Sequence, residues 1–123
     1  MKLRFRNNSL RLRVNRREVA TLASGEALQE EVRFPGNRQL IYLLESSRGS
    51  SATASFDGNT IRVAAPLVDV RTWADSESIG LYFDVSATPE LLKVSIEKDL
   101  ECVDGLVEER DPEAFTRTPG KNC

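Results

Sequence analysis

The chain has 123 residues, 40% of them hydrophobic and 29% charged, with a net charge of −2; this is the size and make-up of one globular domain, and no apolar run nears the ~20 residues of a bilayer-crossing helix. The total hides an asymmetry: residues 1–50 carry ten Lys or Arg against five Asp or Glu, a balance of +5, while residues 51–123 carry seven against fourteen, a balance of −7. Opposite signs on the two halves point to an anionic partner for the first and an acidic tail on the second.

The first residues, Met1-Lys2-Leu3-Arg4-Phe5-Arg6, alternate charge with apolar side chains and lack the continuous apolar core of a secretory signal, so a cytoplasmic protein is expected. Alternation also predicts a strand, followed by a second one after an Asn7-Asn8 turn that tolerates positive φ. If residues whose numbers sum to 15 face each other, Phe5 meets Leu10 and Leu3 meets Leu12 on the core side. A one-residue slip would oppose Arg6 to Leu10 and scramble both faces. A helix follows, with Asn15 and Glu18 at capping-box spacing and Val19 and Leu22 as its apolar stripe. Strands Leu28–Phe34 and Leu40–Leu44 complete the unit around a Pro35-Gly36-Asn37 turn, and residues 46–51 form a polar linker.

The order then repeats. Phe56 faces Ile61 around Gly58-Asn59; Pro66 suits the first turn of a helix whose face is Leu67, Val70, Trp73 and Ala74; strands Ile79–Val85 and Leu92–Ile96 close the unit. At an offset of 51, residues 5–34 align with 56–85 without a gap, and seven of thirty pairs are identical, including Phe5/Phe56, Arg11/Arg62 and Val19/Val70. Composition alone would give about two, so duplication is the simplest explanation. The fold expected is mainly β with two short helices, an α+β chain of two ββαββ units closing into one swapped-hairpin-like barrel. Residues 1–99 are expected to form that single pseudo-twofold domain, with repeats at about 2–46 and 52–98, and residues 100–123 are expected to be an acidic, flexible tail.

The segment Gly58-Asn59-Thr60-Ile61-Arg62-Val63-Ala64-Ala65-Pro66, continuing through a short helix to Ser76-Glu77-Ser78-Ile79-Gly80-Leu81-Tyr82-Phe83, resembles the AbrB/MazE swapped-hairpin family. The resemblance covers residues 2–98. Members share a turn Gly, an alternating strand ending in Pro, a short amphipathic helix and two closing strands, and they interleave two ββαββ units; MraZ-type members carry both units in one chain. The resemblance implies an internal pseudo-dimer and an AbrB-like DNA-binding regulator or antitoxin-like protein. The first copy departs from the family pattern, with Asn15 in place of the Pro and no Gly in the Asn7-Asn8 turn. The whole chain is also similar to small uncharacterised bacterial proteins with a basic N-terminal hairpin and a Glu-Lys-Asp-x-x-Cys segment, here Glu97 to Cys102.

The candidate site is the hairpin's outer face, where Lys2 faces Arg13 and Arg4 faces Arg11, with Arg6 beside them. Like charges opposite each other destabilise a sheet, so these five cations require counter-charge. DNA or another polyanion could supply it, since Arg pairs bidentately with phosphate; Glu30, Glu31, Glu45 or the acidic tail could supply it from within. The second hairpin does not repeat the charge, because Arg62 stands with Asp57, Ser55, Thr53 and Ala64, leaving half of a twofold DNA-reading surface.

Catalysis has little support. The chain lacks His, the commonest general base and metal ligand, and adjacent Glu30-Glu31 would point to opposite faces of a strand. No metal or cofactor is expected. Cys102 and Cys123 are too few for a disulfide framework and read as reduced thiols, Cys102 having no partner at a recognised spacing. Trp73 and Tyr82 read as core or core-edge residues. The expectation is a non-enzymatic binding protein working through the basic hairpin; the alternative is a protein-interaction module whose acidic tail docks a basic partner.

Overall fold

The computed structural model describes residues 1–100 and Glu113. Strands β1 (Lys2–Arg6) and β2 (Ser9–Val14), helix α1 (Arg16–Ala23), and strands β3 (Leu28–Phe34) and β4 (Arg38–Ser47) make up the first half. Strands β5 (Thr53–Asp57) and β6 (Thr60–Pro66), helix α2 (Leu67–Ala74), and strands β7 (Gly80–Val85) and β8 (Leu92–Lys98) make up the second. Among the described residues the protein is mainly β with two helices.

Parity sets the hairpin registers as expected: Phe5 lies opposite Leu10, Leu3 opposite Leu12 and Phe56 opposite Ile61. The first turn residue has positive φ in each hairpin, Asn7 at 51° and Gly58 at 57°. The strands pair across the halves. Hairpin β1–β2 joins β7–β8 through a parallel β2–β8 contact, and β5–β6 joins β3–β4 through a parallel β4–β6 contact. Two four-stranded sheets result, in the orders β1-β2-β8-β7 and β3-β4-β6-β5, rather than the one closed barrel expected. The physical reason lies in the helices. Each contacts strands of both sheets, and the apolar residues Val19, Leu22, Val70 and Trp73 share one buried cluster with Leu12, Val14, Leu44, Val63, Val94 and Ile96. They fill the space between the sheets, and among the described residues β1, β7, β3 and β5 remain edge strands.

Helix α1 begins with the capping box that the Asn15/Glu18 spacing predicts. Glu18 N–H donates to Asn15 Oδ1 and Asn15 N–H to Glu18 Oε1, both at 2.9 Å, satisfying two of the donors that a helix N-terminus leaves open. Helix α2 starts one residue later than expected: Pro66 ends β6 and sits at the N-cap with ψ of 133°, an extended conformation that cannot belong to the first helical turn. At the other end of α1, Arg71 Nε from α2 donates to the Ala23 carbonyl at 3.0 Å, so a cation of one helix satisfies a terminal acceptor of the other.

Three aromatic residues are corrected in placement. Phe5 and Phe56 lie on the inner faces but are 60% and 69% exposed, because β1 and β5 are edges and the opposite layer does not reach their turn ends. Tyr82 is 59% exposed; it alternates with inward-facing Leu81 and Phe83 and so projects outward. Trp73 is buried as expected.

The chain's α-amino group is built into the structure. Met1 N donates to Glu18 Oε2 at 2.6 Å and to Glu30 Oε1 at 3.3 Å, while Tyr42 Oη donates to the Met1 carbonyl at 3.2 Å. Partial burial alone would lower the amine pKa, but hydrogen bonds and charge from Glu18 and Glu30 outweigh it and raise the value above 8.0. Burial, then the charges of Glu30 and Glu18, raises Tyr42 above 10.0. An amine whose folded pKa exceeds its unfolded one contributes stability that is complete below the unfolded value and lost as pH rises through the folded value. Thermal stability is therefore expected to fall as pH climbs above 8.0, with Tyr42 adding the same sign above 10.0. A Glu18→Gln/Glu30→Gln double variant should show a flatter alkaline slope; an unchanged slope would refute the assignment.

Candidate nucleic-acid interface

The β1–β2 register places all five candidate cations on one outer face: Lys2 opposite Arg13, Arg4 opposite Arg11, and Arg6 at the turn opposite Ser9. Alternation accounts for this, since the residues between them, Leu3, Leu10 and Leu12, belong to the core side. The structure brings them together but not equivalently. Lys2, Arg4 and Arg6 on the edge strand are exposed, whereas Arg11 and Arg13 on β2 are half-buried.

Part of the counter-charge comes from β8, which the sequence reading did not foresee. Glu97 lies opposite Arg13 across the parallel β2–β8 contact and is only 3% exposed. Its Oε1 is 3.1 Å from Arg11 Nε and 3.8 Å from Arg13 Nε, and its Oε2 accepts from Tyr82 Oη at 2.7 Å. A buried carboxylate needs this kind of pairing, because isolation in a low-dielectric site is costly. Gly80, opposite Glu97 on β7, leaves the room: a Cβ there would lie 2.8 Å from Tyr82 Oη and 2.9 Å from Glu97 Cγ. Asp99, just past β8, pairs with Lys2 at 2.8 Å. The acids expected to neutralise the hairpin are committed elsewhere, Glu30 to the Met1 amine, Glu31 to Arg33 at 3.3 Å and Glu45 to Arg62 at 3.1 Å.

The sequence held a signal for Glu97. Arg62 and Arg11 stand 51 residues apart and Glu97 and Glu45 stand 52 apart, and each arginine pairs with the glutamate on its parallel neighbour. Only the β2–β8 and β4–β6 pairings make the correspondence visible. After these ion pairs, Arg4 and Arg6 have no acidic partner among the described residues.

Among the described residues no group of three or more His, Cys, Asp or Glu converges as a metal site, and no helix is long and apolar enough to cross a membrane. The acidic tail beyond Leu100, Cys102 and Cys123 lie outside the described residues, Glu113 excepted. What the fold and this face define is a mainly β, two-sheet protein with a cationic hairpin held by a buried carboxylate. The chain belongs to a family of unknown function, DUF7009, whose model matches residues 1–118. No curated protein and no solved structure matches it.

Proposed function

We propose that this is a non-enzymatic binding protein whose N-terminal hairpin engages DNA or another polyanion, in the manner of an AbrB-like regulator or an antitoxin-like protein of the cytoplasm. The observation that carries the reading is the exposed Arg4–Arg6 edge, cationic and without acidic partners among the described residues, beside Arg11 and Arg13 fixed by Glu97. Arginines exposed along an extended edge can meet successive phosphates with bidentate geometry.

The swapped pairing of hairpins from the two halves, together with helices of equal length starting 51 residues apart, supports an ancestral duplication and the resemblance to swapped-hairpin proteins. Absence of His from the chain, and of any group of three or more His, Cys, Asp or Glu placed to hold a metal among the described residues, supports binding over metal-dependent catalysis.

Titrating a fluorescent DNA duplex, and heparin in parallel, at about 20 mM and 150 mM salt tests the reading. Binding should weaken steeply with salt, with a log–log slope of roughly −2 to −4 for two to four phosphate contacts. Arg4→Ala/Arg6→Ala should reduce affinity about tenfold or more on every DNA sequence, since phosphate contacts carry no sequence information. Absence of binding to either polyanion at low salt would overturn the proposal.

A further inference from the structure

Strand β5 presents an edge that fits a second copy of itself, and we infer that the protein forms a reversible twofold dimer by antiparallel β5–β5 pairing centred on Ser55. Among the described residues the edge is open: β5 ends its sheet, and Thr53, Ser55, Phe56 and Asp57 are all exposed. Asp57 and Thr60 close the hairpin across a two-residue turn, so they are its terminal hydrogen-bonded pair. Alternation then directs the backbone groups of Thr53, Ser55 and Asp57 toward β6 and those of Ala54 and Phe56 away from the sheet.

A twofold through Ser55 sets Ala54 against the other copy's Phe56, and the reverse, in two hydrogen-bonded pairs. All four outward N–H and C=O groups of each strand are thereby satisfied. The same register sets Thr53 against Asp57 of the other copy and Ser55 against its own equivalent, with no like charges opposed. It also gives the ring of Phe56, 69% exposed in the single chain, a methyl neighbour across the interface.

Edges β1 and β3 do not offer this. Pairing β1 with itself about Arg4 would oppose Arg4 to Arg4 and Lys2 to Arg6; pairing β3 about Glu31 would oppose two glutamates. On β7 no like charges would be opposed, so the Ser55 variants separate pairing through β5 from pairing there. Basic residues on an edge are a known guard against strand pairing, and β1 carries three of them where β5, its counterpart 51 residues later, carries none. The two related hairpins thus differ on their outer faces in the way that would leave one free for polyanion and the other for self-association. The dimer stands independently of the polyanion reading, although it would present two basic hairpins related by a twofold, which a single chain lacks.

The interface is small, so the dimer should be populated only above roughly tens of micromolar protein. Sedimentation equilibrium of the full chain across about 5–500 μM should show monomer–dimer exchange. Ser55→Lys places two ammonium groups together at the twofold and should weaken dimerisation at least tenfold; Ser55→Glu should do the same, and mixing the two variants should restore a heterodimer. Circular dichroism melts of each variant report whether the exposed substitution leaves the monomer folded. A chain monomeric throughout that range, or a dimer indifferent to Ser55→Lys in a folded variant, overturns the inference. Polyanion binding by a strictly monomeric chain would overturn the dimer alone, and a dimer that fails to bind polyanion would overturn only the hairpin's proposed role.

Discussion

Trp73→Ala is expected to lower the unfolding free energy by about 3–5 kcal/mol, the cost of deleting a large aromatic side chain from a packed interior. The indole is 2% exposed and belongs to the cluster that joins both sheets. Its Nε1–H donates to the Ile79 carbonyl at 3.1 Å, pinning the stretch between α2 and β7, and Lys98 Nζ lies 5.7 Å from the ring centroid while donating to the Ser76 carbonyl at 2.7 Å. Truncation would open a cavity between helix and sheets, leave a backbone carbonyl without its donor and loosen the end of β8. Against a domain stability of roughly 5–15 kcal/mol, that is a large fraction. Chemical denaturation followed by circular dichroism reads the loss directly. A change below about 1 kcal/mol would mean that the core does not depend on this residue. Trp73→Phe, which retains most of the volume and loses the hydrogen bond, should cost substantially less.

Trp73 was legible in the sequence because it and Ala74 stand three and four residues after Val70, the spacing of a helix stripe, and its counterpart Leu22 at an offset of 51 is buried too. Periodicity and parity likewise revealed the hairpin registers, the capping box and the clustering of the five hairpin cations. These are local facts, carried by neighbours within a few residues. Parity assigns a face, however, and not the depth of cover over it. Phe5 and Phe56 sit on the inner faces that parity assigns, yet near solvent, because burial depends on how far the opposing layer extends. Tyr82 could have been placed outside by its alternation with Leu81 and Phe83. The non-local pairings were less accessible: which strand lies beside β2 is decided by packing between the two halves. Since β8 comes from the far end of the described chain, the carboxylate beside Arg11 and Arg13 could not be assigned from spacing alone.

Glu97→Ala is expected to cost about 3 kcal/mol, toward the lower end of the range for removing one partner of a buried ion pair. The loss exceeds that of an exposed pair, worth at most about 1 kcal/mol, because the carboxylate is 3% exposed and draws together groups from three strands. Without it, the half-buried guanidinium groups of Arg11 and Arg13 lose a shared counter-charge, and the Tyr82 Oη bond to Glu97 is lost while a hole opens beside Gly80. Tyr82→Phe removes the hydroxyl's bond to Glu97 at a more exposed position and should cost about 1 kcal/mol. If the two residues act through one network, the double variant will fall short of the sum of the single losses, and the shortfall is their coupling energy. Glu97→Gln separates charge from shape: it keeps an acceptor for Arg11 and the volume against Gly80 but abandons neutralisation, so its loss should lie between the other two. Equal stability of the Ala variant and the parent would show that the arginines do not need Glu97. A stable Ala variant with increased polyanion affinity would instead show that the carboxylate restrains the cationic face, whereas reduced affinity in a folded Gln variant would mark it as the group that holds Arg11 and Arg13 in their binding geometry.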